Sequence, residues 1–512
     1  MSHKPVRHKP TRHESIVALW IDGSAHPVPA IIAALRSAIR QDPPFREIVV
    51  LADAAAAGDL QSVASESATP ARVVVLPAED SVVLNDLLAA ATATWLAWLD
   101  ASSVLVPGAL EIVEPTLNRF DVDLFYGDSR IASVDADTVV RRPALSPIRL
   151  RSQDYLGDFR GARIDALRAA GGFQPGTRGA HPYDAALRLG TRADRVLAIP
   201  EVLTEASIEP RDVMRRHAAH RTVAHLAAAQ RHLNALGIEA ELTDEGIRYP
   251  LRATPLVSII IPTRGGRAVI GGSERTLVVD AVRGIAARST YPSIEFVIVA
   301  DDVMPQAVVD ELIEIAGNRV RLVRWTGPFN FSGKINRGAV HALGEYLVLL
   351  NDDVELISPD WLEAMLGLAQ QPGVGMVGAL LYFEDGSVQH GGHMYSASWA
   401  GHIAFKWEVD RDDALDSLTV DREVSGVTGA CAMLSADTFW SVGGLSTEYP
   451  GNYNDVDLAL KIRATGASII WTPHARLIHF ESKTRVATVD TTELELIRRH
   501  WGTKLITDPY WR

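Results

Sequence analysis

The chain contains 512 residues, of which 47% are hydrophobic and 22% are charged, and its formal net charge is −13. This length exceeds what one hydrophobic core fills, so two or three domains are expected. The acidic balance argues against a protein that binds nucleic acids through a basic surface, so no nucleic-acid partner is expected. A single cysteine, Cys431, excludes an internal disulfide and fits a reducing cytoplasm.

The N-terminal segment and the apolar runs bear on location. Residues 1–14 are basic and rich in histidine and proline, which favours a disordered tail over a signal peptide. The longest apolar run, residues 87–99, is interrupted by threonines and falls short of the roughly 20 residues that a bilayer requires. These features predict a cytoplasmic protein, either free or peripheral at the inner face of the cell membrane.

Short runs rich in β-branched residues alternate with helical segments through both halves of the chain. This alternation predicts an α/β fold with parallel sheets and crossover helices. The candidate strands are residues 15–21, 47–51, 73–76 and 95–99 in the first half, and residues 257–261, 295–299, 320–325 and 346–350 in the second.

The two halves also resemble each other. Such ordered similarity indicates two copies of one α/β unit. Between the copies lies a stretch of helical composition that ends at Gly237. Four segments match in the same order: 95–103 with 346–354, 171–173 with 443–445, 184–188 with 457–461, and 198–203 with 471–477. The predicted organisation is a tail (1–14), a first α/β domain (15–208), a helical linker (209–254), a second α/β domain (255–490) and a helical C-terminal extension (491–512).

Polar residues follow three strands of the second copy. Residues 262–264 end one strand before two glycines, Asp301 and Asp302 follow another, and residues 351–353 follow a third. Open α/β sheets bind their ligands at the carboxyl ends of strands. Carboxylate oxygens suit Mg²⁺ or Mn²⁺, and a metal at this edge could hold a diphosphate.

Two later segments add candidates. Asp455 and Asp457 fall in or before the first turn of a predicted helix, where acids either complement the helix dipole or act as a general base. His479 follows an apolar strand, where a histidine is either structural or a metal ligand. Lys483 and Arg485, just beyond it, could sit against a diphosphate.

Together these segments resemble the inverting GT-A glycosyltransferases of family 2, above all the bacterial rhamnosyltransferase-like branch that builds cell-surface polysaccharides. The resemblance is clear over residues 255–485 and weaker over residues 15–207. It implies two tandem GT-A domains, which are Rossmann-like, joined by a helical linker. The segments that carry it are Ser258-Ile-Ile-Ile-Pro-Thr, Phe329-Asn-Phe-Ser, Leu349-Leu-Asn-Asp-Asp-Val-Glu, Ser358-Pro-Asp-Trp-Leu-Glu, Thr428-Gly-Ala-Cys, Asn454-Asp-Val-Asp-Leu and His479-Phe-Glu-Ser.

The resemblance also implies roles for single residues. The family's Asp-x-Asp motif falls on residues 351–353, so Asp353 and the later His479 would hold Mg²⁺ or Mn²⁺, while the first position departs from aspartate. Asp455 would be the catalytic base, with Asn454 where many relatives have glutamate. The implied nucleotide-sugar pocket comprises Pro262, Thr263, Arg264, Asp301, Asp302, Lys334, Asn351 and Asp352, and the supporting candidates are Asp457, Asn454, Lys483 and Arg485.

The implied reaction is a single displacement with inversion. A hydroxyl of a glycan or lipid-linked glycan acceptor attacks the anomeric carbon of a nucleotide-diphosphate sugar. The branch makes dTDP-rhamnose the first expectation for the donor, with UDP-sugars next.

The first copy departs from the same pattern. Asp100 is kept, but Ser102 stands where the metal-binding aspartate would be and Pro182 stands where the base would be. Residues 202–206 offer no terminal histidine. These losses predict a non-catalytic module that positions the acceptor chain or stabilises a homodimer.

Two other classes compete with the transferase interpretation. A sugar-phosphate nucleotidyltransferase normally has a glycine-rich basic loop after its first strand, of which residues 263–267 give a faint version, and it leaves Asp455 and His479 without a task. A non-catalytic polysaccharide-biosynthesis scaffold would need both copies to have decayed. His390 and His393 could border the acceptor pocket, and with only Asp385 nearby their spacing argues against a metal.

Overall fold

The computed structural model of the protein describes residues 15–24, 26–77, 79–132, 137–206, 222–243, 246–408, 411, 413, 415–481 and 491–512. The chain divides into two compact units. The first comprises Met1–Leu145 and Gln153–His232, and the second comprises Ser146–Ser152 and Leu233–Arg512. The predicted N-terminal tail lies outside the described residues.

The first unit is built on one nine-stranded sheet in the order β3-β2-β1-β4-β8-β6-β9-β5, with β7 paired to β6. Its strands are β1 Val17–Asp22, β2 Ile48–Ala52, β3 Ala71–Val75, β4 Trp95–Asp100, β5 Ser103–Leu105, β6 Leu124–Ile131, β7 Thr138–Val140, β8 Phe159–Arg163 and β9 Val196–Ala206. Its helices are Val28–Ile39, Ala57–Ser65, Ser81–Ala90, Ala109–Leu117, Ile164–Ala169 and His181–Leu189.

The second unit contains a ten-stranded sheet in the order β16-β15-β12-β17-β24-β19-β25-β18, with β20 on β19 and β23 on β25. The strands of this unit are β10 Glu241–Thr243, β11 Gly246–Arg248, β12 Val257–Thr263, β13 Arg267–Ile270, β14 Ser273–Thr276, β15 Ile294–Asp301, β16 Val320–Trp325, β17 Tyr346–Leu350, β18 Val354–Leu356, β19 Val374–Tyr382, β20 Val388–His390, β21 His393–Ser396, β22 Trp399–His402, β23 Arg422–Val424, β24 Cys431–Ser435 and β25 Ser468–His479. Its helices are Pro147–Ser152, Leu277–Arg288, Gln306–Ala316, Phe331–His341, Trp361–Ala369, Ala436–Ser441, Asn454–Ala464 and Thr491–Trp501.

The two sheets have the same topology. Each strand in the order of the first sheet has a counterpart at the same place in the second, and β7 pairs β6 as β20 pairs β19. The sequence repeat therefore corresponds to a repeat of strand order. The predicted α/β fold class is confirmed, as are all eight predicted strands, which are β1 to β4, β12 and β15 to β17.

The central strands of the second sheet are hydrophobic because the sheet buries both of their faces. Ile259, Ile260 and Ile261 of β12 have no exposed surface, and β12 pairs in parallel with β15 on one side and β17 on the other. Parallel strands buried in this way read as continuous apolar runs. Their carboxyl ends therefore lie at one edge of the sheet, where the chain turns polar.

The segment between the repeats contains more than a helix. The helix Val223–Ala235 is present, and a hairpin of β10 and β11 follows it, which the composition did not predict. Residues 207–221 lie outside the described part of the chain, so the boundaries of the linker stay a prediction. Among the helices that the structure describes, none combines the length and hydropathy needed to span a membrane.

Close packing of the helix Phe331–His341 on the sheet gives a first prediction. A Cβ at Gly338 would lie 2.4 Å from Cγ2 of Ile260 and 2.9 Å from Cγ2 of Val299. We expect Gly338→Ala to lower the free energy of unfolding by about 1–3 kcal/mol, because the helix must move off the sheet. Urea unfolding followed by circular dichroism measures the change.

Gly284→Ala is the matched control in the same unit. A Cβ there meets only Nη2 of Arg288, at 3.2 Å, which is the far end of a flexible side chain. Alanine in mid-helix should then raise the free energy of unfolding by up to about 1 kcal/mol. Equal effects of the two substitutions would contradict the packing argument.

Candidate functional site

A cleft of about 670 Å³ opens where β12, β15 and β17 end. Nine residues that the sequence predicted for the site line it, and aromatic and amide side chains complete its wall. The predicted ones are Pro262, Thr263, Arg264, Asp301, Lys334, Asn351, Asp352, Asp353 and His479, and the others include Phe329, Phe331, Gln389, His402, Phe405, Thr428, Asn452 and Glu481.

Thr263 ties the end of β12 to the loop after β17. Its hydroxyl donates to Oδ2 of Asp352 at 2.6 Å and accepts from the backbone N–H of Gly265 at 2.9 Å. Burial raises the pKa of Asp352 to about 6, the Asp353 carboxylate adds to the rise, and the Thr263 hydrogen bond opposes it. Asp352 is therefore held in place by a neutral donor at the wall of the cleft.

An ion pair lies at the end of β15. Nζ of the buried Lys334 is 2.7 Å from Oδ1 of Asp301, and it also lies 5.5 Å from the centre of the Phe329 ring. The pair places one positive and one negative group on the same wall of the cleft. Asp302, by contrast, is exposed and is not among the described residues that line the cleft.

Strand register places Asp353 beside His479. β18 pairs antiparallel with β25 so that Val354 is opposite His479, and the backbone N–H of Phe480 donates to the carbonyl of Asp353 at 2.9 Å. Oδ1 of Asp353 then lies 3.1 Å from Nε2 of His479. Nδ2 of Asn351 lies 3.0 Å from the same ring nitrogen.

Gln389 and Glu481 fix the tautomer of His479. A carboxylate only accepts hydrogen bonds, so Nε2 of Gln389 must be the group that donates to Oε2 of Glu481, at 3.0 Å. This orientation points Oε1 of Gln389 at Nδ1 of His479, 2.7 Å away, and Nδ1 therefore carries the proton. In neutral His479 the lone pair is on Nε2, which faces Asp353.

This arrangement fits a divalent cation. A carboxylate oxygen and an unprotonated imidazole nitrogen converge on one point, and the other ring N–H is held by an amide oxygen, as is usual for metal-binding histidines. Burial opposes charge on His479, yet the Asp353 carboxylate raises its pKa above the ordinary value. The site thus attracts positive charge, which either a proton or a metal ion supplies.

Asp455 is held by backbone groups at the start of the helix Asn454–Ala464. Its Oδ2 accepts from the N–H of Gly429 at 3.0 Å, and its Oδ1 accepts from the N–H of Val456 at 2.8 Å. Gly429 follows Thr428, which lines the cleft. The carboxylate is therefore fixed next to the cleft wall, and Asn454 beside it is buried.

Asp457 serves the packing of this helix. It is buried, accepts from Nε1 of Trp501 at 2.9 Å and lies 3.0 Å from Nζ of Lys461. Trp501 belongs to the C-terminal helix Thr491–Trp501. This helix also carries Glu493, which accepts from the N–H groups of Gly451 and Asn452 at 2.8 and 2.7 Å. The C-terminal helix thus stabilises the loop that precedes Asp455. Lys483 and Arg485 lie outside the described residues.

Sequence reasoning missed Gln389, Glu481 and His402. Gln389 and Glu481 have no distinctive spacing, since they meet His479 only through pairing of strands. His402 is paired with His393 across the hairpin of β21 and β22. For His393 and His402 the sequence held one signal: apolar and polar side chains alternate within residues 393–402, as in a β-hairpin, and the segment has a histidine at each end. Asp385 is exposed, lies 3.8 Å from Nζ of Lys406 and is not one of the described cleft residues.

At the corresponding strand end of the first unit, the carboxylate accepts hydrogen bonds from its own loop. The carboxylate of Asp100 accepts from the backbone N–H of Ser102 at 2.8 Å and also from its hydroxyl. Oδ1 of Asp100 lies 3.2 Å from Nε2 of His26. Pro182 lies in the first turn of the helix His181–Leu189, where the second unit has Asp455.

Comparison with known proteins identifies part of the second unit. Residues 258–443 match the family described as Glycosyl transferase family 2. Together with the strand order, the match confirms the GT-A class predicted for the fold.

Two relatives match over most of the chain. An uncharacterized protein, y4gI, of Sinorhizobium fredii is 31% identical over an alignment of 457 residues, which covers 83% of this chain and 49% of the relative. The O-antigen biosynthesis protein RfbC of Myxococcus xanthus is 31% identical over an alignment of 460 residues, which covers 86% of this chain and 35% of the relative. The chain thus spans about half of the first relative and about a third of the second.

Among solved structures, the chain is similar to GalNAc-T7 with UDP, GalNAc and Mn²⁺. The match covers 49% of this chain and 48% of the GalNAc-T7 chain, with 13% sequence identity and a TM-score of 0.39.

The raised pKa of Asp352 gives a prediction for stability. An acid whose pKa rises from 3.8 to about 6 on folding weakens the folded state as pH increases across that interval. In metal-free protein, Asp352→Asn should therefore stabilise the fold at pH 8 and have little effect near pH 4. Urea unfolding in EDTA across this range measures the difference.

Thr263→Val is the companion variant. It removes the hydroxyl that lowers the pKa of Asp352, so the loss of stability between pH 4 and pH 8 should become larger than in the unaltered chain. A stability difference for Asp352→Asn that does not change with pH would contradict this account.

Proposed function

We propose that the second unit is a metal-dependent inverting glycosyltransferase, which moves a sugar from a nucleotide-diphosphate donor to a hydroxyl of a glycan or glycolipid acceptor. The observation that carries the proposal is the pairing of Asp353 with His479, whose Nδ1 carries the proton so that Nε2 can bind a metal. The carboxylate of Asp455 is fixed next to the same cleft. The family 2 domain over residues 258–443 supports the same reaction class.

The donor would lie along the ends of β12, β15 and β17. Pro262, Thr263 and Arg264 border this part of the cleft, and the carboxylate of Asp301 would accept a hydrogen bond from a ribose hydroxyl or a base N–H group. The buried Lys334 brings positive charge close to the diphosphate.

The metal site would act on the leaving group. Asp353 and His479 would hold Mg²⁺ or Mn²⁺, with Asn351 next to them and with Gln389 fixing the imidazole. The metal supplies Lewis-acid stabilisation of the diphosphate as it departs. Binding needs the neutral imidazole, so it displaces the proton that the raised pKa of His479 otherwise retains.

Asp455 would act as the general base. It takes the proton from the acceptor hydroxyl as the new bond forms between that oxygen and the anomeric carbon. The bond from the anomeric carbon to the diphosphate oxygen breaks on the opposite face, and its electrons leave with the diphosphate. A single displacement of this kind inverts the anomeric configuration.

The biological setting is also a proposal. The relative named as an O-antigen biosynthesis protein supports a role in making a cell-surface polysaccharide. We take dTDP-rhamnose as the first donor to test and UDP-sugars as the next.

The first unit is proposed to be non-catalytic, positioning the acceptor chain or supporting a homodimer. Ser102 stands where the second unit has Asp353, and Oδ1 of the remaining carboxylate, Asp100, already accepts from the backbone N–H of Ser102.

Replacing the base tests the assignment of Asp455. We expect Asp455→Asn to lower turnover by about 10²–10⁴-fold, the contribution typical of general acid–base catalysis. Binding of the nucleotide diphosphate with Mn²⁺, measured by calorimetry, should be largely unchanged because the hydrogen bonds of Asp455 go to the N–H groups of Gly429 and Val456 and not to Asp353 or His479. Transfer is measured by release of nucleotide diphosphate.

Asp310→Asn is the matched control, since Asp310 is an exposed carboxylate on the helix Gln306–Ala316. It should leave turnover unchanged. Full turnover in Asp455→Asn would refute its role as the base.

A double variant tests whether the first unit contributes activity. Asp353→Ala combined with Asp455→Asn removes both the metal ligand and the base from the second unit. We expect no transfer above the level of a reaction without enzyme. Measurable transfer by this variant would show a second active site and overturn the proposal for the first unit.

A further inference from the structure

Three histidines cluster next to the proposed base. One ring nitrogen from each of His390, His393 and His402 lies within 4.8 Å of the others. Three imidazoles at this spacing first suggest a metal ion. The hydrogen bonds around them point to a different task.

The backbone of Thr428 fixes where the protons lie. Its N–H donates to Nε2 of His390 at 3.1 Å, so this nitrogen carries a lone pair and the proton of neutral His390 is on Nδ1. Nδ1 of His390 is 2.8 Å from Nδ1 of His402. His390 is therefore the donor, His402 accepts on Nδ1, and the proton of His402 is on Nε2.

Both rings are neutral, as this chain of hydrogen bonds requires. Burial lowers the pKa of His390 well below its ordinary value of 6.5, and the neighbouring histidines lower it further. Burial also lowers the pKa of His402 to about 3, with His393 adding to the effect.

A metal ion conflicts with these hydrogen bonds. If His390 bound a metal through Nδ1, its Nε2 would carry the proton and would face the N–H of Thr428. Two donors would then point at each other, whereas metal-binding histidines direct their second N–H at an acceptor. The cluster is therefore built as a chain of hydrogen bonds.

The free end of this chain reaches the cleft. His402 lines the cleft, and no described residue is a hydrogen-bond partner of its Nε2. Its ring centre is 5.3 Å from that of His393, whose Nε2 lies 3.9 Å from Oδ2 of Asp455. Two consecutive backbone N–H groups hold the two parts of this arrangement: that of Thr428 donates to His390, and that of Gly429 donates to Asp455. His402 thus lies near Asp455, with His393 between them.

We propose that His402 binds the acceptor sugar, presenting a fixed, uncharged N–H donor to a sugar oxygen other than the hydroxyl that Asp455 deprotonates. This inference rests on the proposed transferase function. His390 is the positioning residue, because it sets the tautomer of His402 without touching the substrate. A donor that is locked and neutral recognises an oxygen lone pair and does not compete with Asp455 for the acceptor's proton.

The tautomers are tested without any substrate. In the full chain labelled with ¹⁵N-histidine, NMR at pH 7 should show His402 protonated on Nε2 and His390 on Nδ1. The opposite tautomers, or a charged ring, would overturn the proposal. So would a stoichiometric transition metal that elemental analysis finds in the purified protein and that His390→Gln removes.

Kinetics test the contact with the acceptor. The probes are p-nitrophenyl glycosides of rhamnose, galactose, glucose and mannose as acceptors, with dTDP-rhamnose and UDP-glucose as donors. In His402→Phe the KM for the acceptor should rise about tenfold, the size of one lost hydrogen bond, while the KM for the donor stays within a factor of about two. His402→Gln restores an N–H at the position of Nε2 and should recover much of the loss.

His341→Phe makes the same substitution at the end of the helix Phe331–His341, at a residue that is not one of the described cleft residues, and it should leave both KM values unchanged. If His402→Phe changes the KM for the donor instead, or changes neither, this inference falls and the proposed function stands. If the unaltered chain transfers no sugar with any pair of probes, the proposed function falls and the inference with it.

Discussion

The pairing of β18 with β25 is the constraint on which the proposed site depends. β18 is three residues long and pairs with β25, and this pairing places Asp353 beside His479. Two buried groups of opposite charge would be costly to hold together without further hydrogen bonds. Gln389 accepts from Nδ1 of His479 in either protonation state, and in the neutral imidazole this bond leaves the lone pair on Nε2, where a metal can bind.

The rest of the cleft follows from neighbouring elements of the same sheet. β12 and β15 end beside β17, which brings Thr263 to Asp352 and Asp301 to Lys334. The turn that leads into β24 donates two consecutive N–H groups, one to Asp455 and one to His390. The proposed donor side of the cleft is therefore organised by strand ends, and the proposed acceptor side by one backbone turn.

Much of this could be predicted from the sequence. Buried parallel strands show as apolar runs, so β12, β15 and β17 and the polar residues after them were visible, and so was the repeat. The pairing that joins Asp353 to His479 was not visible, because it depends on the register of a three-residue strand. The same holds for Gln389 and His402, which reach the site through hairpins. Asp301 and Asp302 are adjacent in sequence, and only the end of β15 distinguishes the one that lines the cleft from the exposed one.

Asp353 and His479 are proposed to form a single metal site. Titration of Mn²⁺ into the full chain with dTDP or UDP present, followed by electron paramagnetic resonance, tests it most directly. We expect one bound Mn²⁺ per chain, lost in Asp353→Ala and weakened about 10–100-fold in Gln389→Leu, which removes the group that orients the imidazole. Binding of Mn²⁺ that survives Asp353→Ala, or a second equivalent bound elsewhere in the chain, would contradict it.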